Sequence, residues 1–506
     1  MEEIHGKPEG AFTVNSSRDS EELAGPVHLS ERKLMLKIDI HVLPILCVLY
    51  FLAFLDRVNI GNAVVFGLEE DLGMDPKSNQ FNTALTIFFV PYVLLEIPSN
   101  LILKKLRPHI WLAGCMFIFG ILTIAQGLGV LPLLKYIFTP QADLNCIIVK
   151  SYSGLLATRF FIGVAESGMF PGCFYLIGMW YRRSDALRRY TYFFNSTTLA
   201  GAFGGLIAYG TGHMQGIRGY GAWRWLFIVE GSVTCVVAIV AWFTISDFPE
   251  QARWLNVEEQ QWLRSRLKAD HGDDPVERSI GFSDVVEVLK DYKIFLGALM
   301  YFSFLVPSYG YAYFSPTIIE SYGYSPLQTQ LHSVPPLAVA FFLSLGIAYV
   351  SDRLRHRYLF VIFNLLIAIA GVAILLNKHY SMKLEYGALF LVVFGPYCGM
   401  PVALCWFTMN LGGHRRRAIG TALQLGFGEI AGIVSTFLFL SKDAPYYHTG
   451  YSVAISFFTL AGFWATCYFL ACWSQNRKRD QLMAQGSGEA RVTGDGDLDV
   501  SYRYML

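Results

Sequence analysis

About twelve stretches of the chain are each long and apolar enough to cross a lipid bilayer as a helix, a pattern that restricts the fold more than any single motif. A crossing helix needs ~20 mostly apolar residues, and because lipid offers no hydrogen-bond partners the backbone must satisfy itself. The stretches lie near 39–64, 81–103, 109–130, 152–178, 190–212 and 223–246, then near 293–317, 327–350, 358–377, 386–410, 417–440 and 450–473. A charged segment separates the two groups. Within it Asn256 is placed to cap a helix carrying Trp262, Leu263 and Leu267 on one side, the pattern of an interfacial helix. The expectation is an all-α membrane protein of twelve transmembrane helices in two six-helix pseudo-symmetric bundles. A tail (1–38), a first bundle (39–246), a linker (247–292), a second bundle (293–473) and a second tail (474–506) would follow in order.

Composition agrees. Of 506 residues, 54% are hydrophobic and only 16% charged, too few polar groups to clothe a soluble globule of this size. A net charge of +1 gives no electrostatic footprint for nucleic acid. Nine cysteines are scattered without a C-x-x-C pair, as packing residues are, rather than as a disulfide or metal framework. Basic residues collect in alternate loops: Lys104, Lys105 and Arg107, then Arg182, Arg183, Arg188 and Arg189, then Arg353, Arg355 and Arg357, then Arg415, Arg416 and Arg417. Positive loops stay in the cytoplasm, which puts both termini there. Residues 1–31 are polar, lack a signal-peptide core and read as a disordered tail.

The halves also echo each other. "GIAYVSDRLRHRY", Gly346 to Tyr358, has the form G-x-x-x-x-x-D-R-x-x-x-R, and "PSNLILKKLRPH" occupies the equivalent junction of the first half with Lys104 in the place of Asp352. Two such repeats suggest two bundles around a central cavity. Together with "LDRVNIGNA" in the first stretch, "RFFIGVAESGMFPG" from Arg159, "WRWLFIVEG" from Trp223 and "DAPYYHTGY" from Asp443, these features give a family resemblance. The chain resembles the major facilitator superfamily, specifically its anion:cation symporter branch and the fungal permeases for allantoate, nicotinate and pantothenate. The resemblance runs from Ile38 to Arg479 and implies proton-coupled alternating access. It also implies that Arg57 and Arg159 bind the anion and that Asp56 and Glu166 carry the proton. Two features depart from it. Residues 129–148 interrupt what family members join by a short loop, as a loop insertion or, the favoured reading, a retained intron. Glu429 in "GFGEIAGIV" stands where the family commonly has Asn.

The chemistry of these residues suits such roles. A charge at the bilayer centre costs ~2.5–3.5 kcal/mol on insertion scales, so an intramembrane ion faces a cavity or a partner. Arg159 and Glu166, two helical turns apart, share one face. Guanidinium stays charged when desolvated and its fork matches a carboxylate. Desolvation favours the neutral form of a carboxylate whereas a nearby arginine favours the ionised form, so an anion that occupies the arginine promotes protonation of the acid. The plainer alternative is a set of structural salt bridges, although buried pairs stabilise poorly compared with apolar packing.

Further residues could complete the site. Tyr309, Tyr311 and Tyr313, with Asn195, Trp406 and Asn410, offer aromatic walls and polar handles for a flat heteroaromatic acid. Asp352 and Arg353, with Lys104 in the equivalent loop, read as gating residues, while Glu96 and Glu230 read as gate or packing ions. "FGPYCGMP" from Phe394 should break or bend its helix. Glu429, among Gly426, Gly428 and Gly432, either bonds across a helix interface or reads a hydroxyl, amide or cationic group on the substrate.

The expected function is symport of a small organic anion with protons, by a multi-pass protein of the plasma membrane that works as a monomer in the lipid bilayer. The alternatives are export of an acidic secondary metabolite and nutrient sensing without flux. No G-x-x-x-x-G-K-[ST] loop or H-x-x-x-H pair is present, so no enzyme, cofactor, metal or nucleic-acid partner is expected.

Overall fold

The computed structural model describes residues 30–75, 78–129, 151–271, 282–354, 356–377, 381–412, 414–484 and 502–506, and these are helical with no strand among them. The first group holds α1 (Glu31–Val65), the short α2 (Leu68–Asp71), α3 (Gln80–Lys105), α4 (Pro108–Leu128), α5 (Tyr152–Glu166), α6 (Met169–Trp180), α7 (Arg183–Gly212) and α8 (Ala222–Thr244). Helices α9 (Val257–His271) and α10 (Phe282–Leu289) follow. The second group holds α11 (Tyr292–Glu320), α12 (Pro326–Leu354), α13 (Arg357–Leu376), α14 (Met382–Met409), α15 (His414–Ser435) and α16 (His448–Ala484).

Among the described residues, nine helical segments are long and apolar enough to cross a membrane, with α5 and α6 counted as one. The other three expected stretches correspond to α3, α7 and α15, which fall short of that measure. Their polar side chains are buried in protein: Asn82 and Glu96 on α3, Asn195 and Thr197 on α7, Gln424 and Glu429 on α15. A polar group that faces protein does not meet hydrocarbon. Outward-facing apolar side chains such as Phe243, which is 81% exposed, supply the surface that lipid would cover.

Each group repeats one packing scheme. Helix α4 packs on α8 as α13 does on α16, α3 on α5 as α12 on α14, α1 on α7 as α11 on α15, and α1 on α8 as α11 on α16. The groups meet along four seams, α7 with α12, α1 with α11, α3 with α15, and α7 with α14. At the end away from the basic loops these seams are tight. Gly61 lies so close to the Tyr313 carbonyl, and Gly205 to Gln330 and Ser333, that a Cβ at either position would overlap its neighbour. Asn82 Nδ2 donates to the Thr436 carbonyl at 2.5 Å.

At the basic end, α9 starts directly after Asn256, whose N–H donates to Glu259 Oε2 at 2.9 Å. Leu263 is buried beneath α9 and Trp262 and Leu267 half-buried, while Lys37 of α1 pairs with Glu259 at 2.7 Å. Two expectations need correction. The break expected at Pro396 and Pro401 is absent, since α14 runs unbroken through both prolines and surrounding helices bury the segment. The segment after 474 is not a simple tail, since α16 continues to Ala484 and residues 502–506 dock against the second group. The stretch 130–150 and the tail 1–29 lie outside the described residues, as does the Lys104 side chain.

Candidate functional site: buried charges at the seam

Adjacent residues on a helix point ~100° apart, so Asp56 and Arg57 on α1 reach different partners. Asp56 Oδ2 accepts from Arg159 Nη1 at 2.7 Å, and Arg57 Nη2 lies 2.7 Å from Glu166 Oε1. Helix α5 presents Arg159 and Glu166 two turns apart, and the result is a crossed double pair in which every member is at most 3% exposed. Asn59 extends the cluster by donating to Glu230 Oε2 at 2.8 Å, and Asn62 donates to Asn59 at 2.9 Å.

Arg57 also reaches across the seam. Its Nη1 donates to the Tyr309 hydroxyl of α11 at 3.3 Å and lies 3.9 Å from Glu429 Oε2 of α15. The guanidinium sits over the rings of Tyr92 and Phe88, 4.7 and 5.1 Å from their centres, which compensates part of the lost hydration. Arg159 faces Phe227 of its own group at 5.6 Å. Arg57 Nε and both Arg159 Nε and Nη2 are buried with no hydrogen-bond partner among the described residues.

Tyr309 connects this cluster to a small cavity between the groups, walled by Tyr50 and Phe54 of α1, Phe194 of α7, Tyr301 of α11 and Tyr397 of α14. Tyr313 stacks parallel to Tyr309 at 6.1 Å. The remaining sequence candidates lie elsewhere. Asn195 Oδ1 accepts from Ser344 at 2.9 Å and ties α7 to α12. Trp406 Nε1 and Asn410 Nδ2 both donate to the Met505 carbonyl at 2.9 Å, outside the cavity, because the end of α14 is occupied by residues 502–506. Asp352 pairs with Arg357 and lies 3.6 Å from Arg188 of α7, whereas Arg353 is exposed. Asn59 and Asn62 escaped the sequence reading, although Asp56, Asn59 and Asn62 recur every third residue and so share a face. Tyr50, Tyr301 and Tyr397 carry no signal beyond being aromatic.

Residues 46–466 match the family model described as the Major Facilitator Superfamily. The chain belongs to the Major Facilitator Superfamily. It is 31% identical to the "MFS-type transporter cnsO" of Penicillium expansum over 95% of this chain and 92% of that one. It is 28% identical to the "High-affinity nicotinic acid transporter" of Saccharomyces cerevisiae over 92% and 83% of the two chains. The fold is similar to that of a bacterial homologue of the human lysosomal transporter Spinster in an inward-facing, unoccupied conformation, with a TM-score of 0.62, 18% identity and coverage of 85% and 96%. A D-xylose-proton symporter superposes with a TM-score of 0.59 at 13% identity, covering 84% and 96%. This member of the superfamily is therefore a multi-pass membrane transporter and not an enzyme.

Proposed function

We propose that the protein is a proton-coupled symporter of a small organic anion, with Arg57 as the group that holds the anion. The observation that carries this reading is the position of Arg57 at the seam, where it touches Glu166 of one group and Glu429 of the other. The Glu429 contact is long at 3.9 Å, and an incoming carboxylate matched to the guanidinium fork displaces it first. A buried carboxylate that loses its cation is neutralised by a proton, which links substrate entry to proton entry. The aromatic walls of the cavity suit a flat heteroaromatic monoacid, and the nicotinic acid transporter among the relatives fits that class. Asp56 and Arg159 complete the charge balance, and Glu166 carries the proton. The basic end faces the cytoplasm, with both termini on that side of the plasma membrane.

The test is transport by purified protein in proteoliposomes, using a panel of labelled small acids that includes nicotinate. Glu166→Gln is expected to abolish accumulation driven by a pH gradient while substrate exchange continues, because a neutral amide imitates the protonated acid. Uphill accumulation by this variant would remove Glu166 from the proton path.

A further inference from the structure

At the basic end of the second group, residues 502–506 lie extended in a slot formed by α11, α13, α14 and α16. Asn476 of α16 makes two hydrogen bonds with the Tyr504 backbone, both at 2.9 Å. Asn410 does the same with Met505, accepting its N–H at 2.7 Å and donating to its carbonyl at 2.9 Å. A side-chain amide that pairs with both the N–H and the C=O of one residue reads a peptide backbone as a neighbouring strand would. Arg357 N–H donates to the Leu506 carbonyl at 2.9 Å, and Tyr502 Oη donates to the Met409 carbonyl at 2.9 Å. The Tyr504 ring, 4% exposed, is held between Lys293, with Nζ 4.1 Å from the ring centre, and Arg479, at 4.7 Å. Lys293 Nζ also donates to the Tyr504 hydroxyl at 2.5 Å.

The slot adjoins a contact between the two groups. Arg357, which seats Leu506 by its backbone, uses its side chain to hold Ser351 at 2.9 Å and Asp352. Asp352 in turn lies 3.6 Å from Arg188 across the seam. We propose that this end of the second group is a peptide-binding slot whose resident ligand is the chain's own Tyr502–Leu506 segment, acting as a strap that favours closure of the basic end. The strap ties the ends of four helices and fixes Arg357, and through Arg357 it fixes the acid that meets Arg188. Because Arg357, seated against the strap, holds the carboxylate that Arg188 of the first group meets, strap binding and closure are linked through that contact.

Two cysteines report on the two halves of this proposal. Cys472 is buried beside the strap's anchor, with Sγ 3.8 Å from Nδ2 of the Asn410 amide that pairs with Met505. Cys405 Sγ of α14 lies 3.6 Å from Thr191 Oγ1 of α7, so Thr191→Cys supplies a disulfide partner across the seam near the same end. In the purified protein, deleting 502–506 is expected to raise maleimide labelling of Cys472, read by peptide mass spectrometry, by ~10-fold or more. In the Thr191→Cys chain the same deletion is expected to slow disulfide formation with Cys405 by ~3-fold or more. Adding the synthetic peptide Tyr-Arg-Tyr-Met-Leu is expected to reverse both changes, and Tyr504→Ala in the full chain to reproduce them. Unchanged Cys472 labelling would overturn the slot, as would labelling that rises but is not reversed by the peptide. Raised and reversible labelling with an unaltered cross-linking rate would overturn the link to closure.

Discussion

Arg57 and Arg159 look alike from a distance and differ in what they join. Both are at most 3% exposed, and each has a carboxylate at 2.7 Å. Arg159 spends its contacts within the first group, on Asp56 and the Phe227 ring. Arg57 belongs to the seam, with Glu166 on one side and Tyr309 and Glu429 on the other. An ion pair inside one packed group keeps its geometry when the groups move against each other. A pair that spans the seam must change, and only a changing contact can link ligand binding to the movement.

The largest expected effect tests this difference directly. Arg57→Ala leaves Glu166 and Glu429 facing each other without a cation, at a cost of about 3–5 kcal/mol in stability and with loss of uptake. Arg57→Lys keeps the charge without the fork and is expected to raise the KM for an anionic substrate far more than Arg159→Lys does. Equal KM changes in the two lysine variants, measured by uptake at matched expression, would erase the distinction and make Arg159 a second clamp. A smaller effect is expected at the far side of the seam. Glu429→Asn removes the competitor for Arg57, so simple monoacids should bind about 3–10-fold more tightly while substrates bearing a cationic group bind less well. Unchanged selectivity with lower expression would place Glu429 in the scaffold. The smallest change sharpens the link to the cavity. Tyr309→Phe deletes one hydrogen bond to Arg57, about 1 kcal/mol or ~5-fold in KM, with the parallel stack on Tyr313 retained.

The architecture was legible because hydropathy is a property of whole segments, and twenty apolar residues in a row admit few interpretations. Of the crossed pairing, the shared face of Arg159 and Glu166 was legible from their two-turn spacing, whereas the different partners of the adjacent Asp56 and Arg57 emerge only from the structure. Tyr309 and Tyr313 are one turn apart and act together, and the same spacing rule sends Tyr311 to the other side of α11. Trp406 and Asn410 were read as cavity residues for want of any local cue. A polar side chain at a helix end has the same sequence signature whether it meets a substrate or a peptide, and its partner, Met505, lies 95 positions away from Asn410. The proline pair in α14 does not produce a break, because a proline predicts a lost hydrogen bond and says nothing of the neighbours that compensate for it.

The helices that fall short of the apolar measure, α3, α7 and α15, are also helices of the seams. The consequence concerns biogenesis. A segment bearing Asn195 and four nearby hydroxyl or amide groups partitions weakly into lipid by itself, on scales where each polar residue subtracts from the insertion energy. During synthesis such a segment must wait at the translocon for an earlier helix to shield it, α1 for α7 and α11 for α15. The polarity that joins the two groups along their seams therefore makes assembly sequential. A substitution that weakens α1 would be felt first as failed insertion of α7, well before any solute is carried.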